Sequence, residues 1–448
     1  MKMALIVMGC LLMGQSFAQD TTTLSGTVTL DQCIAIAIKN NLQINNNRVS
    51  ADVSDVNVHQ AFGNFLPNIS ANIGHSLSEG RAISSVSNSY VTQSTTNANY
   101  GLNFSEVLWN AGAIRNNYSG YKYGYEASKM DVQTQKDNIS IQVILAYLQV
   151  LSYEEQLATA KQQVESNRQQ VEKAQNMMDA GALSNPSDLS TFKGILAQSE
   201  ISVINTQKAL ESNKIFLVQL LNVPYSPNFE LEKVPDTVVP VAYDANPDAI
   251  YQSAVQNLAI IKAGSLRVQS QLKYWKSAKG QMWPTLSIGP SFGTSFSSLG
   301  TDLQGNKIAY PKQLTNNFGS TFGLNLNIPI LNSFNLSGRA KIQKIYYDQA
   351  KFNDASNKTA LQQNVQQSYI NVTSGFSAYK KGEELVNDYS EAARIAQVRF
   401  NEGVTTSADY IIAKTNLDVN QLNLIATKYD YILRTKILDY YQGKLTFK

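Results

Sequence analysis

The sequence predicts an α+β membrane protein whose chain supplies four transmembrane β-strands, continued by long antiparallel coiled-coil helices, in two internal repeats. Three observations predict this class. Four segments alternate apolar residues with Ser, Asn, Thr and Gly. Two proline-free stretches exceed the length of an ordinary helix several-fold. A set of local patterns recurs in the same order along both halves of the chain.

The recurrence sets the organisation. "FLPNISANIG" at Phe65–Gly74 parallels "MWPTLSIGPS" at Met282–Ser291, and "YGLNFSEVLWN" at Tyr100–Asn110 parallels "FGLNLNIPILN" at Phe322–Asn332. "AYLQV" at Ala146–Val150 parallels "SYINV" at Ser368–Val372, and "DAGALSNPSDL" at Asp179–Leu189 parallels "NEGVTTSADY" at Asn401–Tyr410. The offset stays at about 220 residues throughout. The expected divisions are 1–18, a signal peptide; 19–222, a first repeat; 223–247, a proline-rich linker; 248–444, a second repeat; and 445–448, a tail. Pro224, Pro227, Pro235, Pro240 and Pro247 bar a continuous helix through the linker.

The chain opens with Lys2, a short apolar run over Ala4–Met13 and small residues ending at Ser16-Phe-Ala18. That pattern is a secretory signal peptide with cleavage after Ala18 or Gln19. The run is too short to span a bilayer as an anchor, and a lipoprotein reading through Cys10 leaves almost no apolar run before the cut. The mature chain then keeps one cysteine, Cys33, within a helical pattern from Asp31 to Ile38, where it reads as a small buried apolar residue.

The strands are expected at about 67–78, 97–108, 285–297 and 317–330. Ile69, Ala71 and Ile73 alternate with Asn68, Ser70 and Asn72; Tyr100, Leu102 and Phe104 with Asn99, Gly101 and Asn103. Leu286, Ile288 and Phe292 alternate with Ser287, Gly289 and Ser291; Phe322, Leu324 and Leu326 with Gly323, Asn325 and Asn327. Period-2 alternation marks strands. A polar face without charge matches a water-filled lumen, and the apolar face matches lipid. The lipid-facing candidates are Ile73, Leu102, Phe104, Leu286, Phe292, Phe322, Leu324 and Leu326, with Trp109 and Trp283 at the strand ends on the helical side. Long Ser-, Thr-, Asn- and Gly-rich loops, Glu79–Thr96 and Ser298–Asn316, join the strands, and Pro290 suits an edge or a bulge. Four strands cannot close, and no open edge survives in lipid. Several copies must therefore share one barrel; two chains would give eight staves and three would give twelve.

Helices are expected over 113–180 and 186–221, and again over 337–402 and 408–441. Each longer one would span on the order of 100 Å. Gly181 and Gly403 end the long helices; Asn185 and Ser407 are the expected N-caps, with Asp188 and Asp409 in the first turns that follow. The polar stripes are largely uncharged, as in "NISIQ", "TAKQQ", "ALQQNVQQSYINV" and "NLDVNQLNL", which suits a water-filled tube as well as a solvated coiled coil.

This organisation resembles the TolC-type outer-membrane efflux family over Thr29 to about Lys444. The resemblance rests on the duplicated element order, the strand entries at Pro67 and Pro284, and the hairpins "AGALSNPSDL" and "EGVTTSADY". It implies a homotrimer with a twelve-stranded barrel in outer-membrane lipid and a helical barrel in the periplasm. Such a duct is joined by a periplasmic adaptor (a membrane fusion protein) to an inner-membrane pump of RND, MFS or ABC type, and passes small toxic compounds or drugs. Type I protein secretion and metal-ion efflux are alternatives for the same duct. The helix tips, Gly181-Ala182 and Gly403-Val404, would meet the adaptor. Asp409 matches an acidic ring at the family's channel entrance, and Asp188 is its counterpart in the first repeat. Where the family's best-known members carry a second ring acid this chain has Ile412, and where they carry a basic residue it has Thr405, so an apolar ring or other links would close the entrance.

Other classes fare worse. A surface fibre or adhesin built of coiled coil needs no strands with lumen-like faces. A net charge of +3 with no basic patch gives no nucleic-acid surface. The only histidines are His59 and His75, and no nucleophile motif, phosphate-binding glycine loop or metal spacing occurs. No catalytic residue, cofactor or metal is expected.

Overall fold

A computed structural model describes residues 26–83, 88–180, 187–226, 229–233 and 240–445. In chain order these form β1 (Gly26–Val28), α1 (Leu30–Asn40), α2 (Leu42–Gly63), β2 (Asn68–Ile83), β3 (Tyr90–Trp109), α3 (Ala113–Asp179) and α4 (Ser187–Leu221). Then follow β4 (Phe229–Leu231), α5 (Pro247–Asn257), α6 (Ala259–Gly280), β5 (Thr285–Ile288), β6 (Ser291–Ser297) and α7 (Tyr310–Asn316). The last elements are β7 (Gly319–Thr321), β8 (Leu324–Asn327), α8 (Asn335–Asn401) and α9 (Ser407–Tyr441). The signal-peptide residues, Gly181, Ala182, Asn185 and parts of the 223–247 linker lie outside the described residues.

The chain divides into two compact units, and both long helices contribute to each. The first takes residues up to Asn45, Gln135–Ala254 and Gln362 onward. Its apolar core joins Cys33, Ala37 and Ile38 of α1 to Val143, Tyr147, Val150 and Leu151 of α3, Leu217 and Leu221 of α4, and Ile432 of α9. Thr29 starts α1 with a capping box: its hydroxyl accepts from Gln32 N at 3.2 Å while Gln32 Oε1 accepts from Thr29 N at 3.0 Å. Within the linker Phe229–Leu231 forms β4, which pairs in parallel with β1. Tyr147 explains why this short pair holds, because its hydroxyl donates to Glu232 O at 2.7 Å and lies 3.2 Å from Val28 O.

The second unit comprises Asn46–Thr134 and Val255–Leu361. Its sheet has β2 on one edge of β3 and both β6 and β5 on the other; β7 pairs β6 and β8 pairs β5. All of these pairings are antiparallel. Helices α6 and α3 pack closely beneath it. Ser277 Oγ donates to Ala113 O and Ser270 Oγ to Gly120 O, each at 2.8 Å. A Cβ on Gly280 would stand 3.1 Å from both the Ala111 carbonyl and Ala113, so any other residue would force these neighbours to give by a few tenths of an ångström.

Several sequence boundaries shift, for physical reasons. The first two strands are longer than expected, because the Ser- and Thr-rich residues read as the loop Glu79–Thr96 continue the hairpin on both sides, from Glu79↔Ser94 to Ile83↔Tyr90. The third strand splits into β5 and β6 at Gly289-Pro290, where proline has no N–H to give the ladder. The fourth splits into β7 and β8 at Phe322-Gly323 and stops at Asn327, two residues before Pro329. These two breaks face each other, with Gly289 N donating to Gly323 O at 3.0 Å. The loop Ser298–Asn316 contains α7, with Pro311 in its first turn. The N-cap of α9 is Thr406, not Ser407: its hydroxyl accepts from Asp409 N, and Ser407 is already helical.

Candidate channel wall and entrance

The wall candidates share one face of the sheet. Register places Ile73 opposite Tyr100, Leu102 opposite Phe292, Leu286 opposite Leu326 and Ile288 opposite Leu324. Directly opposed residues project from the same side. Edge-to-face rings extend the band, Phe104–Phe292 at 6.0 Å and Phe292–Phe322 at 5.8 Å between centroids. Those on the flanking strands have little to cover them, Ile73 being 77% exposed, Phe322 72% and Leu324 69%, whereas Phe104, Leu286 and Phe292 are half-buried. The reverse face carries Asn72, Gly101 and Asn103, where Asn103 Nδ2 donates to Asn72 Oδ1 at 2.9 Å. Glu106, opposite Ile288, interrupts the apolar face near Trp109.

The entrance candidates gather in the first unit, where α8 turns into α9. Gly403 adopts φ +69, the left-handed conformation that ends a helix, and Val404 N donates back to Arg399 O at 2.8 Å. Val404 is exposed. The Thr405 and Thr406 hydroxyls donate to Asp409 Oδ2 at 2.8 and 3.0 Å. Those bonds, Thr405's first, hold the Asp409 carboxyl below the usual carboxylate range. Ile412 lies one turn on from Asp409 and is also exposed. Asp188 does different work: its Oδ1 accepts from Ser407 Oγ at 2.7 Å, which ties the start of α4 to the start of α9.

Beneath these polar links lies a small aromatic cluster that sequence reasoning missed. Phe192, Phe400 and Tyr410 pack with Leu189 and Ala174, Phe400 stacking on Tyr410 at 5.7 Å. Burial pushes the Tyr410 hydroxyl up to about 12. The signal was present in the alignment of the halves, since Phe400 and Tyr410 bracket the second turn. One turn further along α9, Lys414 pairs with Asp418, whose carboxyl burial pushes upward. Neither histidine enters a site: His59 is exposed beside Asp55, and His75 stands exposed on β2.

Residues 33–223 and 250–439, most of both halves, match the outer membrane efflux protein family. The chain belongs to that family. The chain is also similar to two curated proteins over part of its length and to several solved structures in fold. An uncharacterised protein of Haemophilus influenzae is 26% identical over 183 residues, and "Toxin and drug export protein A" of Aggregatibacter actinomycetemcomitans is 25% identical over the same length. Each match covers 40% of this chain and 37% of the relative. Among solved structures, the outer membrane protein VceC of Vibrio cholerae aligns with a TM-score of 0.76 at 15% identity, covering 92% of this chain and 96% of that one. The CmeC outer membrane channel of Campylobacter jejuni gives 0.75 at 16%, over 94% and 86%, and CusC gives 0.74 at 16%, over 94% and 93%. The chain thus shares its fold with these solved structures, and its family is that of outer membrane efflux proteins.

Proposed function

We propose that three copies of this chain form the exit duct of a tripartite export system. Their sheets close one twelve-stranded barrel in outer-membrane lipid, and their long helices continue it as a tube in the periplasm. A periplasmic adaptor engages the helix tips around Gly403 and Val404, and the tips around Gly181 and Ala182, and links the duct to an inner-membrane pump that supplies the energy. The cargo is small toxic compounds or drugs.

The observation that carries this reading is the sheet itself. It has one exposed apolar face, one uncharged polar face, and two outer edges that pair with nothing among the described residues. Bare edges in hydrocarbon are forbidden, so copies must pair edge to edge. Among the described residues no helix is long and apolar enough to cross a membrane, which leaves the strands as the spanning elements of this reading. Asp409 rings the entrance in this arrangement, and three copies on one axis form a charged constriction.

Similarity to the Aggregatibacter "Toxin and drug export protein A" favours toxins as a second cargo class. The test is reconstitution of the purified protein. Heat-resistant trimers from outer-membrane fractions and ion conductance in planar bilayers are expected. A monomeric product with no conductance overturns the duct.

A further inference from the structure

The segment joining β6 to β7 folds back onto the sheet instead of extending past it. Gln313 is buried, and its side-chain amide occupies the free edge of β6. Its Oε1 accepts from Ser297 N at 2.9 Å, while Nε2 donates to Ser297 O at 3.0 Å and to Ile308 O at 2.8 Å. Asn317 Nδ2 donates to Ser295 O at 2.7 Å. Side-chain amides thus take the backbone positions that a longer β7 would have filled.

The segment also covers a particular face. Thr294 Oγ1 donates to Leu314 O at 2.6 Å, the Tyr310 ring packs 4.5 Å from that of Phe296, and the Tyr310 hydroxyl meets that of Tyr100. Thr294 is opposite Tyr100, Phe296 is opposite Ala98, and Tyr100 is opposite Ile73. By strand alternation these stand on the same side as Leu102, Phe104 and Phe292. Helix α7 therefore lies on the apolar face, and Ala98 on that face is fully buried.

Height along the sheet locates it. Tyr100 and Trp109 are separated by about 30 Å of extended strand, or about 23 Å along a barrel axis with strands tilted near 40°. That matches an apolar band of about 25 Å with an aromatic girdle at each rim. Past Tyr100 the same face of β3 becomes Thr96, Ser94 and Thr92, and β2 carries Glu79 and Arg81 between Leu77 and Ile83. The segment itself exposes Leu299, Leu303 and Phe318, together with Lys307 and Lys312 against a single acid, Asp302.

We propose that Leu299–Phe318 lies outside the barrel wall at the outer rim, where Lys307 and Lys312 bind phosphorylated lipid headgroups and the Tyr100–Tyr310 pair marks the hydrocarbon boundary. This rests on the lipid-facing reading of the sheet. Charge complementarity and continuity with the apolar band select the occupant: aromatic residues settle at such boundaries, and lysines reach from them to anionic surfaces.

The test uses nitroxide labels on Thr315→Cys and, separately, Leu324→Cys, in the full-length protein reconstituted in phosphatidylcholine vesicles with or without phosphatidylglycerol. Cys33 is fully buried and stays unlabelled. The Leu324 site is expected to be open to oxygen and closed to an aqueous nickel complex. The Thr315 site is expected to admit both, with nickel access falling about twofold when phosphatidylglycerol is present. Charge reversal by Lys307→Glu with Lys312→Glu is expected to erase that lipid dependence. A Thr315 label fully open to nickel, or closed to both probes, with Leu324 still in hydrocarbon, overturns this inference and leaves the duct standing. A Leu324 label open to nickel overturns the duct itself.

Discussion

The two long hairpins have the same dimensions and different surroundings. Helices α3 and α8 each contain 67 residues, and α4 and α9 each contain 35. In α3 the stretch around Val143, Tyr147, Val150 and Leu151 is buried against α1 and the β1–β4 pair. In α8, Val365 and Val372 are buried as well, Val372 at the position equivalent to Val150, but Ile370, Leu385, Ile395 and Val398 are exposed. At about 100° per residue the exposed four fall on one side of the helix. Helix length therefore follows the duplication, whereas burial follows what has been docked onto each copy. The α8 stripe shares the condition of the sheet edges: it is apolar or unpaired surface that the chain itself leaves open. In the proposed trimer, neighbouring copies cover both.

The sharpest way to break this comparison is a matched pair of truncations. Leu151→Ala removes a side chain that is 2% exposed and should cost about 2–5 kcal/mol, read as a shift in the denaturant midpoint. Leu385→Ala in α8 should change unfolding of the dissociated chain by no more than about 0.5 kcal/mol. Ile370→Glu combined with Ile395→Glu should abolish heat-resistant trimers while the helical circular dichroism of the chain persists. Equal costs for the two alanine variants would show that α8 is already as well packed as α3.

A smaller effect sharpens the comparison at the turn. Gly403 has φ +69 and nothing within 4 Å of the place a Cβ would take, so alanine there meets backbone strain alone. Gly403→Ala should cost about 1 kcal/mol, read as a lowered thermal midpoint, and Gly403→Asn should cost less because asparagine tolerates this conformation. Gly403→Glu adds a charge at the tip and should also weaken capture by the adaptor. Loss of capture with Gly403→Ala as severe as with Gly403→Glu would assign the effect to the turn, not to docking.

These contrasts also separate what was legible in the residues from what was not. The long helices were legible because nothing interrupts them and both ends are punctuated by glycine, threonine, serine and aspartate. The wall face was legible because period 2 survives even where the strand itself breaks: Ile288 and Phe292 keep one side across Gly289-Pro290. The Tyr147 bridge that joins β1 to β4 was not legible, since residues 28 and 232 are distant in sequence and two three-residue strands carry no periodicity. The Ser407–Asp188 bond was equally hidden. Serine at the head of a helix reads as a cap, and only the approach of a second helix turns its hydroxyl elsewhere. The segment Ser298–Asn316 read as loop because turn-forming residues dominate it, while its anchoring amide, Gln313, resembles any surface glutamine in sequence.

The least disruptive change separates the two entrance acids. Asp188 receives the Ser407 hydroxyl from across the hairpins, whereas Asp409 is held by Thr405 and Thr406 of its own turn. The Asp409 carboxyl is depressed, first by Thr405 and then by Thr406. A group depressed on folding contributes stability above its unfolded pKa and loses it as pH falls through the lower folded value. Protection of the first turn of α9, read by amide exchange, should therefore stay level from neutral pH to the top of the ordinary carboxylate range and fall only in more acid solution. Asp409→Asn should remove that acid step and leave trimers intact. In bilayers it should also raise the concentration of multivalent cation needed for half-block several-fold, because Asp409 is exposed and would line the entrance of the proposed duct. Asp188→Asn should alter block less, since Asp188 is half-buried where Asp409 is exposed. If block is unchanged in Asp409→Asn, the acid serves only its own turn, and Ile412 is left as the residue that narrows the entrance.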